Sequence, residues 1–203
     1  MSTKRLAVIE AATRLFADEG YHAVGVDRIA EHSGVAKMTM YKHFPSKEAL
    51  VCEVLTTSMN ESQQSLEEWV MHESGVMARL QAVFSWQARR LKNRDDGSTL
   101  FIGAISEYHS ENNQVLEVAV EQKRKLRQFI GDLLLSLFEQ ETAARIARQL
   151  VMLLDGAILA TRIGEAEAID QDAWSAAQRL VAIELASTKL PRSSTEYTAG
   201  SAR

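Results

Sequence analysis

The side chains best able to do chemistry in this sequence lie close together near residue 40. Lysine, threonine, tyrosine and histidine side chains all donate hydrogen bonds to phosphate oxygens, and lysine also reaches the N7 and O6 acceptors of guanine. Five such residues follow one another within a short stretch: Lys37, Thr39, Tyr41, Lys42 and His43. This composition indicates a surface suited to a polyanion.

The apolar residues among them determine which way those side chains point. Ala36, Met40 and Phe44 are spaced four residues apart, so a helix over 36–43 would bring them together on a buried face. Pro45 ends that helix, because proline lacks an amide donor and disfavours helical geometry in the residue before it. The remaining positions form the outward face or its flanks: Lys37, Met38, Thr39, Tyr41, Lys42 and His43.

A second short helix comes just before this one. Val26, Ile29 and Ala30 recur at helical spacing over residues 26–33, and Gly34 follows, where a residue with a Cβ would often be strained. Two short helices joined by a tight glycine turn are typical of a helix-turn-helix, whose second helix lies in the major groove of DNA. We therefore predict a DNA-binding unit, with an ordinary amphipathic helix pair as the alternative.

The run GVAKMTMYKHFPSKEAL at residues 34–50 resembles the DNA-binding motif of the TetR family of transcription regulators. Six residues upstream also resemble that family's first helix and the turn after it: Ala11, Ala12, Leu15, Phe16, Gly20 and Tyr21. Two positions depart from the family pattern. Ala36 stands where serine is common, which removes a helix cap worth about 1 kcal/mol, and Met38 stands where a small residue is common.

The motif also suggests roles for individual side chains. Four residues are expected, by the resemblance, to hold the phosphate backbone: Thr39, Tyr41, His43 and Lys47. Three outward-facing residues are our candidates for contact with base edges: Lys37, Met38 and Lys42. Ser46 is expected to cap a long fourth helix, whose first backbone amides would lie near a phosphate.

The charge of the chain is unevenly distributed. A formal net charge of −4 at first argues against a nucleic-acid partner. Residues 1–47, however, contain seven Lys or Arg and five Asp or Glu, a net charge of +2, which leaves 16 basic and 22 acidic residues, or −6, for the remainder. A mildly basic head on an acidic body can still bind DNA, and repulsion from the body helps to orient it.

Long periodic segments without alternating strand patterns, together with an apolar fraction of 46%, predict an all-α fold. We expect about nine helices, near residues 3–19, 26–33, 36–43, 47–73, 76–94, 99–108, 115–138, 141–163 and 172–188. The first three form a helix-turn-helix head over residues 1–47, and the others form a helical effector-binding and dimerisation body over 48–190. The small, polar segment 191–203 is expected to be disordered.

The last two predicted helices are apolar around most of their circumference and therefore need cover on more than one side. They resemble the C-terminal pair of the TetR family, which forms a four-helix bundle across a two-fold axis. We therefore predict a homodimer through residues 141–163 and 172–188, since a palindromic operator requires two recognition helices ~34 Å apart. The alternative is that both helices belong to the core of a monomer.

In the TetR family the space between helices four to eight usually holds a small-molecule effector. Eight residues of this chain are candidates to line a mostly apolar pocket with a few polar groups: Trp69, Phe84, Trp86, Phe101, Tyr108, His109, Met152 and Asp155. The fourth helix would connect that pocket to the head. Alternatively, the aromatic residues serve only in packing, and Asp155 pairs with Arg162 or with a neighbouring helix, or faces solvent.

Other functional classes find little support in the sequence. The five histidines show no i, i+3 or i+4 pairing, and no Walker, Rossmann or nucleophile motif occurs, so we expect no metal, cofactor or catalytic residues. No long apolar run or secretory leader predicts a membrane partner, and the single Cys52 suits a reducing cytoplasm. We therefore predict a ligand-responsive repressor. A helical adaptor, or a small-molecule-binding protein with a degenerate helix-turn-helix, is the alternative.

Overall fold

A computed structural model describes residues 2–92, 97–108, 113–164 and 167–189. In that part of the chain the predicted all-α fold is confirmed, since nine helices form and no strand does. The helices are α1 Thr3–Glu19, α2 Val26–Ser33, α3 Lys37–His43, α4 Lys47–Met71, α5 Val76–Lys92, α6 Ser98–Glu107, α7 Gln114–Leu134, α8 Gln140–Arg162 and α9 Ile169–Lys189. The tail predicted at residues 191–203 lies outside the described residues.

Helix α1 is the central support of the head. Its predicted apolar stripe is buried: Val8, Ile9, Ala12, Leu15 and Phe16. The helix packs against α2, α3, α4 and α6, and it thereby holds the two short helices in place. Gly20 follows α1 in a positive-φ conformation (φ +86°) that residues with a side chain rarely adopt.

The helix-turn-helix forms as the glycine spacing predicted. Gly34 has left-handed geometry (φ +65°), and its amide donates to the carbonyls of Ala30 and Glu31 at the end of α2. Phe44 and the α3 residue Met40 are buried as expected. The prediction that Ala36 joins them is wrong: this residue precedes α3 with a non-helical ψ of 137°, and it is exposed.

Helix α4 runs through two hydrophobic cores. The head core contains the buried residues of α1–α3, those of α4 up to Met59, and six from the region of α6 and α7: Leu100, Phe101, Ala104, Tyr108, Val115 and Ala119. The body core begins at Leu66 and unites the second half of α4 with α5, α7, α8 and α9. Packing is therefore continuous across residue 47, where the sequence placed a domain boundary.

Helix α6 attaches the body to the turn between α1 and α2. The carboxylate of Glu107 accepts hydrogen bonds from the backbone amides of Tyr21 (2.9 Å) and His22 (2.7 Å). The hydroxyl of the fully buried Tyr21 donates to the carbonyl of Leu100 (2.9 Å). Burial raises the pKa of Tyr21 well above its usual value, so this hydroxyl remains a donor.

Two helix ends differ from the sequence prediction. Helix α7 stops at Leu134 rather than residue 138, because the amides of Leu137 and Phe138 both turn back to the Leu134 carbonyl (2.9 and 3.0 Å) and redirect the chain toward α8. Phe138 is nevertheless buried in the body core. Helix α9 begins at residue 169 rather than 172, directly after Ala168, which has a positive φ of 61°.

Replacing Gly20 with alanine is expected to destabilise the protein by about 2 kcal/mol or more. The φ of +86° disfavours an L side chain, and an added Cβ would stand 2.8 Å from Oε1 of Glu107. Gly25→Ala is the matched control, since Gly25 has φ −84° and nothing lies within 4 Å of a Cβ added there. Chemical denaturation measures both variants, and equal unfolding midpoints would contradict the strain assigned to residue 20.

Candidate nucleic-acid interface

The outer surface of α3 carries the residues that the sequence pattern placed there. Four side chains are exposed: Lys37, Met38, Tyr41 and Lys42. Three more are half-buried: Thr39, His43 and Lys47. All seven candidate contact residues thus occur on α3 and on the first residue of α4, with none of them in the core.

Buried residues on the inner side of α3 support this surface. Met40 and Phe44 are only 2% and 3% exposed. The guanidinium of Arg5 in α1 lies 5.3 Å from the ring centroid of Phe44 and pairs with Glu53 of α4 (2.5 Å). Helices α1 and α4 therefore hold the end of α3 between them, and the outward side chains project from a supported backbone.

Lys37 already has an anionic partner within the head. Its ammonium lies 2.6 Å from Oδ1 of Asp27, in the first turn of α2. The hydrogen bond to Asp27 raises the pKa of Lys37 and keeps the lysine protonated. The Asp27 side chain is 82% exposed, so an external anion can compete for the lysine. Sequence reasoning missed this residue, although an acid in the first turn of α2 was visible.

Helix α4 begins directly after this surface. Ser46 caps it as expected, its Oγ accepting the amide of Ala49 (3.1 Å). The other amides of the first turn and the helix dipole favour an anion near Lys47. Glu48 lies in the same turn and offsets part of that positive field.

A small, partly open cavity of about 30 Å³ lies in the body where α4, α5, α6, α7 and α8 meet. Three of the candidate pocket residues line it: Trp86, Phe101 and Asp155. Its other lining is more polar than predicted and includes five residues that sequence reasoning did not select: Ser62, Gln87, Arg90, Gln122 and Lys123. The available signal was a glutamine, Gln87, on an otherwise apolar stripe of α5.

The charge of Asp155 is compensated within the protein. Its carboxylate pairs with Lys123 of α7, whose side chain is only 13% exposed. Asp155 therefore contacts a neighbouring helix, which was one of the alternatives for this residue. Trp86 is also anchored, because its indole N–H donates to Oγ of Ser65 (3.1 Å).

Two candidate pocket residues lie on the protein surface instead. Trp69 is 36% exposed on α4, and the guanidinium of Arg89 lies 5.0 Å from its ring centroid. Met152 is 71% exposed on α8. Other residues of α4 and α8 line the cavity, but these two side chains lie on a different side of their helices and do not reach it.

Two further candidates, Phe84 and Tyr108, are also apart from the cavity. Phe84 packs against Trp174 of α9 with ring centroids 5.6 Å apart. Tyr108 belongs to the head core, where its ring lies 5.7 Å from that of Tyr21. His109 lies outside the described residues.

Membrane-spanning helices and clustered metal ligands are absent from the described ranges. None of the helices there is long and apolar enough to cross a membrane. The same residues include no group of three or more His, Cys, Asp or Glu side chains arranged to hold a metal ion. Cys52 is a partly buried thiol, and burial raises its pKa, which disfavours the reactive thiolate.

The family model for bacterial regulatory proteins of the tetR family matches residues 8–54, from α1 into α4. The HTH-type transcriptional activator FasR of Mycolicibacterium smegmatis is 46% identical over 52 residues, which are 26% of this chain and 24% of FasR. The fatty acid metabolism regulator protein of Bacillus subtilis is 30% identical over 82 residues, 40% of this chain and 42% of that protein. The matches therefore span less than half of these relatives.

Solved structures match over most of the chain. A TetR-family transcriptional regulator from Streptomyces coelicolor has a TM-score of 0.83 at 22% identity, covering 90% of each chain. A TetR transcriptional regulator from Legionella pneumophila has a TM-score of 0.79 at 19% identity, covering 88% of this chain and 97% of its own. At these identities the likeness establishes the fold. Residues 8–54 thus match the N-terminal domain of bacterial tetR-family regulators, and the chain has the fold of these solved TetR-family structures.

Proposed function

We propose that this protein is a homodimeric, ligand-responsive transcriptional repressor that binds a palindromic operator in double-stranded DNA. The observation that carries the proposal is the exposed face of α3, which presents two lysines, a tyrosine and a methionine from a helix-turn-helix supported by α1 and α4. The family match over residues 8–54 supports it. Repression requires only that the protein occupy a promoter, whereas activation requires a further contact with the transcription machinery.

Side-chain chemistry supports a division of roles on this surface. Four residues are proposed to hold phosphates: Thr39, Tyr41, His43 and Lys47. Three are proposed to contact base edges: Lys37, Met38 and Lys42. The large, 73% exposed side chain of Met38 suits the methyl group of thymine, and the lysines suit guanine acceptors.

Exposed apolar surface on the last two helices supports the proposed dimer. Six exposed residues spaced three or four apart lie on one side of α8 and its C-cap: Ala144, Arg148, Met152, Gly156, Leu159 and Ile163. Met152, Leu159 and Ile163 are 71%, 57% and 68% exposed, and Ile183 of α9 is 66% exposed. Such a patch is typical of subunit contacts. A second copy related by a two-fold axis would cover it and pair two α3 helices for a palindromic site.

The small cavity between α4, α5, α6, α7 and α8 supports the proposed ligand response. Phe101 lines that cavity and also belongs to the head core, so a ligand that displaces α6 would act on the helix that holds Tyr21. A coupling of ~1–3 kcal/mol is enough to change operator affinity. One relative is named as an activator and another as a regulator of fatty acid metabolism, but each matches only part of this chain. Neither name decides the effector or the direction of regulation.

Selection of bound sequences from a random duplex library, using the purified full chain at near-physiological salt, tests the DNA-binding proposal. We expect enrichment of an inverted repeat whose half-sites lie about one helical turn apart. A folded, dimeric protein that enriches no sequence would contradict the proposal and favour the helical adaptor.

Asp27→Asn is expected to tighten binding to the enriched duplex about 3–10-fold, because it releases Lys37 and removes a negative charge beside α3. Glu31→Gln is the matched control, since it removes the same charge from another exposed position of α2. Fluorescence anisotropy at fixed salt gives both affinities. An equal gain in the two variants would indicate a general charge effect and remove the specific role of the Lys37 pair.

Met152→Glu and Leu159→Glu should each weaken dimerisation about tenfold or more, because an unpaired charge would be desolvated at the two-fold contact. Met71→Glu is the control, since Met71 is equally exposed (78%) but lies at the end of α4. Sedimentation velocity over a range of protein concentrations measures the change. Dimers that tolerate both α8 charges would place the interface elsewhere.

A further inference from the structure

An open groove of about 560 Å³ lies between the second half of α7 and the first half of α8. Its volume is within the ~300–1,000 Å³ of typical ligand sites. The two helices approach each other at Gly131, where an added Cβ would stand 3.9 Å from Cβ of Ala147. None of the residues that line the groove also lines the small cavity, so the groove is a separate site.

The lining of this groove is positively charged. It contains three arginines, Arg124, Arg127 and Arg148, and the single carboxylate of Asp132, so its net charge is +2. Residues 48–203, in contrast, contain 16 basic and 22 acidic residues, a net charge of −6. A local reversal of sign on an acidic body raises the concentration of anions in the groove relative to the surface around it.

Two of the three arginines lack an anionic partner in the part of the chain that the structure describes. Arg124 is already paired, because its Nε and Nη2 atoms both donate to the carboxylate of Glu121 (2.7 Å each). Arg127 and Arg148 form neither an ion pair nor a hydrogen bond with the described residues. Arg127 is also half-buried, so its charge is partly removed from water without compensation by the protein.

The rest of the lining is uncharged and largely apolar. Leu135 is 50% exposed, and the small residues Gly131, Ala143 and Ala144 lie in the same groove, together with two glutamines. Covering apolar surface with an apolar group is favourable, whereas an inorganic ion would leave that surface in water. The groove therefore suits a molecule that combines an anionic group with an apolar part.

We propose that this groove binds a small organic phosphate, whose phosphate group is held by Arg127 and Arg148 and whose apolar part covers Leu135. Guanidinium groups bind phosphate oxygens through paired N–H donors. A phosphate monoester carries a charge of about −1.5 to −2 near pH 7, which two unpartnered guanidinium groups balance. Ala144 and Arg148 also belong to the α8 face of the proposed dimer, so the site lies at the edge of that face. The site goes beyond the proposed function, and its occupation does not depend on DNA binding.

Titration calorimetry of the full chain with hexyl phosphate and 1-naphthyl phosphate tests the ligand class. Inorganic phosphate lacks the apolar part, and hexanol and 1-naphthol lack the charge. We expect each ester to bind about tenfold or more tightly than inorganic phosphate and than its parent alcohol. An ester that binds no better than inorganic phosphate or its alcohol, or failure of both esters to bind at millimolar concentration, would overturn the assignment.

Substitutions with opposite expected effects locate the bound ester. Arg127→Gln and Arg148→Gln should each weaken its binding about tenfold or more, because each removes charge-assisted hydrogen bonds to the phosphate. Asp132→Asn should tighten binding about threefold, because it removes the carboxylate that repels the ligand. Arg179→Gln and Asp172→Asn are the matched controls, since both residues are exposed on α9 outside the groove. Full affinity in both arginine variants, or equal changes in the controls, would overturn the site.

Operator selection on the same preparations separates this inference from the proposed function. A protein that enriches an inverted repeat but binds neither ester would overturn the inference alone. A protein that binds the esters with the predicted variant pattern but selects no DNA would retain the arginine groove and overturn the regulator.

Discussion

The burial of Tyr21 is the constraint on which the arrangement of head and body depends. Its ring lies 4.9 Å from that of Phe16 and 5.7 Å from that of Tyr108, its hydroxyl donates to Leu100, and its amide donates to Glu107. Leaving the buried hydroxyl without a partner would cost about 1–3 kcal/mol. Because these contacts come from both ends of α6, the head cannot rotate against α6 without breaking several of them at once. These contacts therefore couple the three-helix head to α6.

The same constraint bears on how an event in the body would reach the DNA-facing surface. Helix α4 contributes Met59 to the head core and, less than one turn later, Ser62 to the cavity lining. Phe101 of α6 is common to the head core and the cavity. Close-packed side chains transmit displacement because they leave no space to absorb it. Under the proposed ligand response, a molecule entering this cavity would push on two helices that both pack in the head core, and no hinge between them is required.

Local patterns in the sequence predicted those features that local geometry decides. The α1 stripe, the positive-φ glycines at 20 and 34 and the cap at Ser46 each depend on neighbours within a few residues. Features that depend on distant partners were predicted less well. Which side of α4 is covered depends on where α5 lies, and Trp69 is exposed rather than inside the pocket. No local pattern showed that Asp27 holds Lys37 or that Ser62 holds Arg90, because each pair joins different helices.

The pair of Lys37 and Asp27 indicates what the α3 surface is prepared to bind. A carboxylate oxygen 2.6 Å from the ammonium is the same kind of acceptor as a phosphate oxygen. Both side chains are largely exposed, so water screens the pair and it adds little to stability. A duplex presents many phosphates and releases counterions on binding, which outweighs one screened carboxylate. The α3 surface thus holds Lys37 in place before a duplex arrives, and exchanging its exposed partner costs little.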